Sequence, residues 1–136
     1  AIAHTAAEAL RRAIAEGRAF CLREHDGPPG SRLCGGILIS RRRNAIGWLA
    51  VAARCRRQGL GAALLAHAID QLDPERDITV QTFAEGVPGG EAARALYRRF
   101  GFEARQAAGP NPAGVPTVIM VRAASAWPAV QRGSSW

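Results

Sequence analysis

The chain has 136 residues, 48% of them hydrophobic and 21% charged, and carries a formal charge of +7. No apolar stretch reaches the roughly 20 residues that span a bilayer, and Glu8, Arg11 and Arg12 interrupt the N-terminal alanines, so these residues are not expected to be a signal peptide. All 18 basic residues are arginine, so lysine chemistry is excluded; three cysteines at 21, 34 and 55 form neither a disulfide framework nor a zinc spacing, and a reducing, cytoplasmic setting is expected.

Thr5 and Glu8 form a T-x-x-E capping box for a short amphipathic helix that stops at Gly17. Residues Ala19 to Arg23 read as a strand, followed by a loop from His25 to Ser31 with Gly27-Pro28-Pro29-Gly30. A second strand, Leu33 to Ser40, is expected to weaken or bulge at Gly35-Gly36. Arg41 to Asn44 make a polar hairpin turn into a third strand, Ala45 to Ala52. The next helix runs from Leu60 to Leu72, with Leu60, Leu64, Leu65, Ala68, Ile69 and Leu72 on one face, and Pro74 forbids its continuation. A strand from Ile78 to Phe83 and a loop from Gly86 to Gly90 precede a third helix, Glu91 to Phe100. That helix places Ala92, Ala93, Leu96, Tyr97 and Phe100 at core spacing and ends at Gly101. Strands Phe102 to Gln106 and Thr117 to Val121 flank the loop Gly109-Pro110-Asn111-Pro112. The order is αβββαβαββ in one domain spanning residues 1–136, with a core at about 5–122 and a tail beyond.

One junction carries chemistry. The strand ending near Ala52 leads through Arg56, Arg57, Gln58 and Gly59 to Leu60, Gly61 and Ala62, where a helix begins. The first N–H groups of a helix lack intrahelical partners and point at one spot, where the helix dipole also favours an anion. Gly59 and Gly61 keep side chains out of a ligand's way, and Arg54, Arg56 and Arg57 add positive charge. The pattern predicts a cradle for the pyrophosphate of a cofactor.

The chain resembles the GNAT superfamily, the acetyl-CoA-dependent N-acetyltransferases. Arg56-x-x-Gly59-x-Gly61 matches that family's [RQ]-x-x-G-x-[GA] loop, and Leu49-Ala50-Val51 precedes it at the family's spacing. Residues Ala93 to Phe102 look like its second signature, A-x-x-L-Y-x-x-x-G-F. The resemblance covers about residues 5–122. It implies an α/β (α+β) fold: a mixed, mostly antiparallel twisted sheet of about six strands flanked by helices. The chain opens inside the family's second helix, so the first strand and helix are expected to be absent. Gly90 stands where the family commonly has asparagine, Ala53 and Cys55 where it has a proline and an aromatic, and Ala45 where some members place a glutamate base.

The resemblance implies acetyl transfer from acetyl-CoA to a primary amine by direct attack in a ternary complex, with no metal. Leu49 would polarise the thioester carbonyl through its N–H and Val51 would pair with the pantetheine. Arg56, Arg57, Gln58, Gly59, Leu60, Gly61 and Ala62 would hold the phosphates, with Ala93 and Tyr97 also at the cofactor. Tyr97 is the candidate acid at the leaving sulfur, as a hydrogen-bond donor as much as a proton donor, and Glu85 is the first candidate base, with His25 behind it. The acceptor is a small-molecule or peptide amine, no membrane is involved, and a homodimer is compatible with the family. Two alternatives remain open: a non-catalytic acyl-CoA-binding or regulatory domain, and a basic nucleic-acid-facing protein such as a tRNA-directed acetyltransferase. An aromatic content of 6% gives the last few stacking platforms, and nucleic acid is not the expected partner.

Overall fold

In a computed structural model, residues 11–23 and 33–124 are described. The Thr5–Glu8 capping box, the loop containing His25 and the tail beyond Ala124 lie outside the described residues. The fold is mixed α/β, with six strands flanked by helices in the expected order. No helix among the described residues is long and apolar enough to cross a membrane. The chain divides into two compact units, Ala1–Ala68 and Ile69–Trp136.

The first unit is an antiparallel meander. Residues 11–15 are helical (α1) and bury Ala13. They lead into β1 (Ala19–Arg23), β2 (Leu33–Ser40) and β3 (Ala45–Val51), with β2 in the middle. Ile37, Ile39 and Ile46 are almost fully buried, each removing apolar surface worth about 1.5–3 kcal/mol. Helix α2 (Leu60–Asp70) adds Leu64, Leu65 and Ala68 to this core, the face its periodicity predicts. The irregularity expected near Gly35-Gly36 falls one residue earlier: against β1, Leu22 pairs with Gly35 and Arg23 with Leu33, which leaves Cys34 as the extra residue on β2. On the β3 side both glycines keep register, with Val51 and Ala50, and the shift there comes later, between Leu38 and Ile39. Gly35 serves close packing instead: a Cβ there would lie 2.9 Å from the Ala50 carbonyl and 3.1 Å from Leu64 Cδ1.

The cysteines also depart from expectation. Cys34 and Cys55 are disulfide-bonded, with Cα atoms 5.5 Å apart and 21 residues between them in sequence, while Cys21 is a free, exposed thiol. Their proximity is tertiary. The β2–β3 ladder brings Cys34 level with Ala52, whose N–H donates to the Cys34 carbonyl at 2.7 Å, and the following 3-10 turn Ala53–Cys55 folds Cys55 back over it. Spacing along the chain carries no trace of that return. In the chain-entropy account a link of this span stabilises by about 3 kcal/mol.

The second unit contains β4 (Ile78–Phe83), α3 (Glu91–Arg99), β5 (Phe102–Pro110) and β6 (Pro116–Arg122). Strand β6 pairs antiparallel with both β4 and β5. Ile78, Val80, Tyr97, Phe102 and Met120 form its core. Strand β5 runs four residues beyond its expected end at Gln106. The tip closes only at Asn111, whose Oδ1 accepts from the N–H groups of Ala113 and Val115, both at 2.9 Å. On α3 the expected core face is corrected: Ala92 is exposed, and Arg94 is buried beside Tyr97.

Candidate functional site

The cradle begins where β3 ends. Because Ala52 N–H bonds to the Cys34 carbonyl, the antiparallel ladder alternates so that Gly36/Ala50 bond directly while Gly35/Val51 and Ile37/Leu49 do not. The main-chain groups of Leu49 and Val51 therefore turn away from β2. The Val51 carbonyl confirms this by accepting from Arg56 Nε at 3.3 Å. These are the two residues whose backbone the resemblance assigns to the thioester and pantetheine.

After the 3-10 turn the chain makes a tight reversal. Arg57 sits at φ 65° and Gly59 at φ 75°, both left-handed. That conformation costs a side-chain-bearing residue energy that glycine avoids. A Cβ on Gly59 would meet no atom within 4 Å, so open space lies in front of it. Helix α2 starts at Leu60, and its earliest turn closes with the Ala63 N–H on the Gly59 carbonyl at 3.0 Å. The N–H groups of Leu60, Gly61 and Ala62 precede that bond and belong to the set a helix start leaves for an outside acceptor. The first turn of α2 contains no acidic residue to compete for them. Arg56, Arg57, Gln58 and Gly59 are exposed.

Two of the three arginines bond back to the chain. Arg54 Nη2 donates to the Leu33 carbonyl at 2.7 Å, and Arg56 reaches back to Val51, so both brace the turn while adding charge to it. An open, cationic helix start with glycine at its reversal fits a pyrophosphate, on the chemistry of its donors.

In the second unit, Tyr97 lies on the buried face of α3, 4% exposed, its ring edge-on to Phe102 at 5.6 Å between centroids. Burial pushes its pKa up to about 12, because the phenolate would lose hydration. Ala93 is half-buried one turn earlier, and Glu85 is exposed in the turn after β4. His25 lies outside the described residues. His67 is exposed and packs edge-on against Phe20 at 4.5 Å. It lines, with Cys21 and Leu64, a groove of about 540 Å³ between β1 and α2, apart from the cradle residues.

The sequence reading missed two features here. One is Arg94, whose Nη1 donates to the carbonyls of Phe83 at 2.9 Å and Ala84 at 2.8 Å, at the end of β4. The other is the disulfide at Cys55, immediately before the cradle. A glycine at position 90, in place of a larger residue, was the one sequence signal for Arg94.

The six-stranded mixed α/β fold, with a cationic, glycine-bearing turn opening α2 and the Ala93–Phe102 stretch running from α3 into β5, is that of an acetyltransferase. Residues 16–104 match the Acetyltransferase (GNAT) domain, and the chain belongs to this family. Solved structures share the fold. The NatC complex bound to Gag peptide and CoA matches at 20% identity and a TM-score of 0.68, covering 85% of this chain and 78% of that one. A GNAT-family acetyltransferase from Bacillus cereus ATCC 10987 matches at 19% identity and 0.64, covering 85% and 77%. The ribosomal-protein-S18-alanine N-acetyltransferase from Escherichia coli matches at 24% identity and 0.55, covering 83% and 76%. No curated protein matches the chain in sequence.

Proposed function

We propose that the protein transfers the acetyl group of acetyl-CoA to a primary amine, on a small molecule or a peptide, by direct attack in a ternary complex. The observation that carries this reading is the continuity of Leu49, Val51 and the Arg56–Ala62 turn. One strand end offers outward-turned main-chain groups and leads directly into an anion-binding helix start. Two structures of similar fold support the acceptor class: one is bound to a peptide and CoA, and another is an N-acetyltransferase of a ribosomal protein's alanine.

In this mechanism the helix start and Arg56, Arg57 and Gln58 hold the pyrophosphate, and Val51 pairs with the pantetheine. As the amine attacks, negative charge develops on the thioester oxygen. The fixed N–H of Leu49 stabilises it, a preorganised donor of the kind typically worth about 3 kcal/mol. The C–S bond then breaks, and Tyr97 donates a hydrogen bond to the departing sulfur. With Tyr97 near 12 and a thiol near 8.5, full transfer of the phenol proton would be uphill by about 5 kcal/mol. Tyr97 is thus a donor to the sulfur rather than the source of its proton; the attacking nitrogen gives up a proton as the amide forms, and the thiolate takes one up through solvent. Glu85, exposed in its turn, accepts the proton of the incoming ammonium.

The test is thiol release. Acetyl-CoA is incubated with the chain and a panel of primary amines and unblocked peptides. Amine-dependent release of CoA thiol, with acetylated amine identified by mass, is the expected result. Tight binding with no release across the panel would reduce the protein to an acyl-CoA-binding domain.

A further inference from the structure

The disulfide stands at the root of the turn assigned above to the cofactor. Cys34 belongs to β2, Cys55 closes the 3-10 turn, and the next residue, Arg56, opens the cradle motif. Two hydrogen bonds tie the same turn to the same strand end: Ala52 N–H to the Cys34 carbonyl at 2.7 Å and Arg54 Nη2 to the Leu33 carbonyl at 2.7 Å. Arg54, Arg56, Arg57, Gln58 and Gly59 are exposed, and little of their surface packs on the core. The covalent link is the strongest of the ties that fix where the cradle starts.

We propose that Cys34–Cys55 is a redox-responsive clamp on the Arg56–Ala62 turn: the disulfide holds the turn ready for the cofactor's pyrophosphate and the dithiol releases it. The ligand named here rests on the cofactor reading above, whereas the clamp itself does not. The reductant is a dithiol. One of its sulfurs attacks the bond, the Cys34–Cys55 link breaks, and two electrons and two protons pass to the protein. Cys34 and Cys55 end as thiols, and the reductant ends as its own disulfide. Cys34 and Cys55 are 4% and 2% exposed, so attack requires the turn to open first. A ligand that holds the turn shut must therefore slow reduction, by the reciprocity of linked equilibria.

The experiment uses the intact chain equilibrated with oxidised or with reduced dithiothreitol. Thiols counted in denaturant should rise from one, Cys21, to three. Trypsin should cut after Arg54, Arg56 or Arg57 about tenfold faster in the reduced chain, whose turn would be open about ten times as often. Acetyl-CoA affinity should fall in proportion to the closed fraction lost, and saturating acetyl-CoA should slow reduction. Cys34→Ser and Cys55→Ser should match the reduced chain in either reagent, while Cys21→Ser should follow the wild type. Three free thiols in the oxidised chain, or equal trypsin rates in the two states, would overturn the clamp. A protease contrast without acetyl-CoA binding in either state would uphold the clamp and refute the cofactor reading alone.

Discussion

The guanidinium of Arg94 occupies the space in front of Gly90. A Cβ at position 90 would lie 2.5 Å from Arg94 Nη1 and 2.7 Å from Phe83 Cβ. That nitrogen caps the carbonyls of Phe83 and Ala84, so one buried cation ties the start of α3 to the end of β4. Nε of the same group is buried with no hydrogen-bond partner, a cost the arrangement carries. Position 90, where the resembled family commonly has asparagine, has no room for a side chain here: Arg94 and Phe83 together fill the site.

This pairing predicts coupled stabilities. Gly90→Ala should cost about 1–3 kcal/mol through overpacking. Arg94→Ala should cost about 2–4 kcal/mol, since it empties a buried site and strips two carbonyls of their donor. In the double variant the alanine at 90 still meets Phe83 but no guanidinium, so the combined cost should fall short of the sum by about 1 kcal/mol. Urea unfolding of the four proteins measures this, and additivity would show that the two positions are independent.

Tyr97 is the chain's single tyrosine, so tyrosinate absorbance reports it alone. In the folded protein the midpoint should lie near 12, and in denaturant near the ordinary 10. The stability consequence has a definite sign. A phenol pKa raised on folding leaves stability intact below pH 10. As pH rises from about 10 to 12 the unfolded chain loses its proton first, and stability falls by about 3 kcal/mol in all. Tyr97→Phe should remove that alkaline loss in unfolding experiments above pH 10. A folded-state midpoint near 10 would mean that the ring is wetter than its packing against Phe102 implies.

For turnover, Tyr97→Phe removes a hydrogen bond and leaves the aromatic packing. A kcat lower by about tenfold, with the loss constant between pH 7 and 9, is expected of a neutral donor to sulfur. A loss of about a thousandfold would instead mark a full proton donor.

The strands were legible because their boundaries coincide with strong punctuation. Gly17, the Arg41–Asn44 turn and Gly101 each end or begin an element where their chemistry demands, and β1, β2 and β4 occupy the predicted residues. Helix α2 ends at Asp70, two residues before the predicted end, ahead of Pro74. The cradle was legible because glycines and arginines at a strand–helix junction form a local pattern. What stayed hidden was tertiary. Cys34 and Cys55 meet only through the β2–β3 register and a three-residue turn too short to show a period. Arg94 lies outside the core spacing predicted for its helix, and only the carbonyls at the end of β4 give its burial a reason. The continuation of β5 to Pro110 depends on the side chain of Asn111 closing the tip.

The central claim is that the turn from Arg56 to Ala62 holds the phosphates of acetyl-CoA, and calorimetric titration of the oxidised chain tests it most directly. Gly59→Glu and Gly61→Glu serve as partners, each placing a carboxylate at the helix start. Micromolar binding by the wild type, abolished in both variants while their folds persist by circular dichroism, is the predicted result. Absence of binding by the wild type, or undiminished binding by both variants, would contradict it.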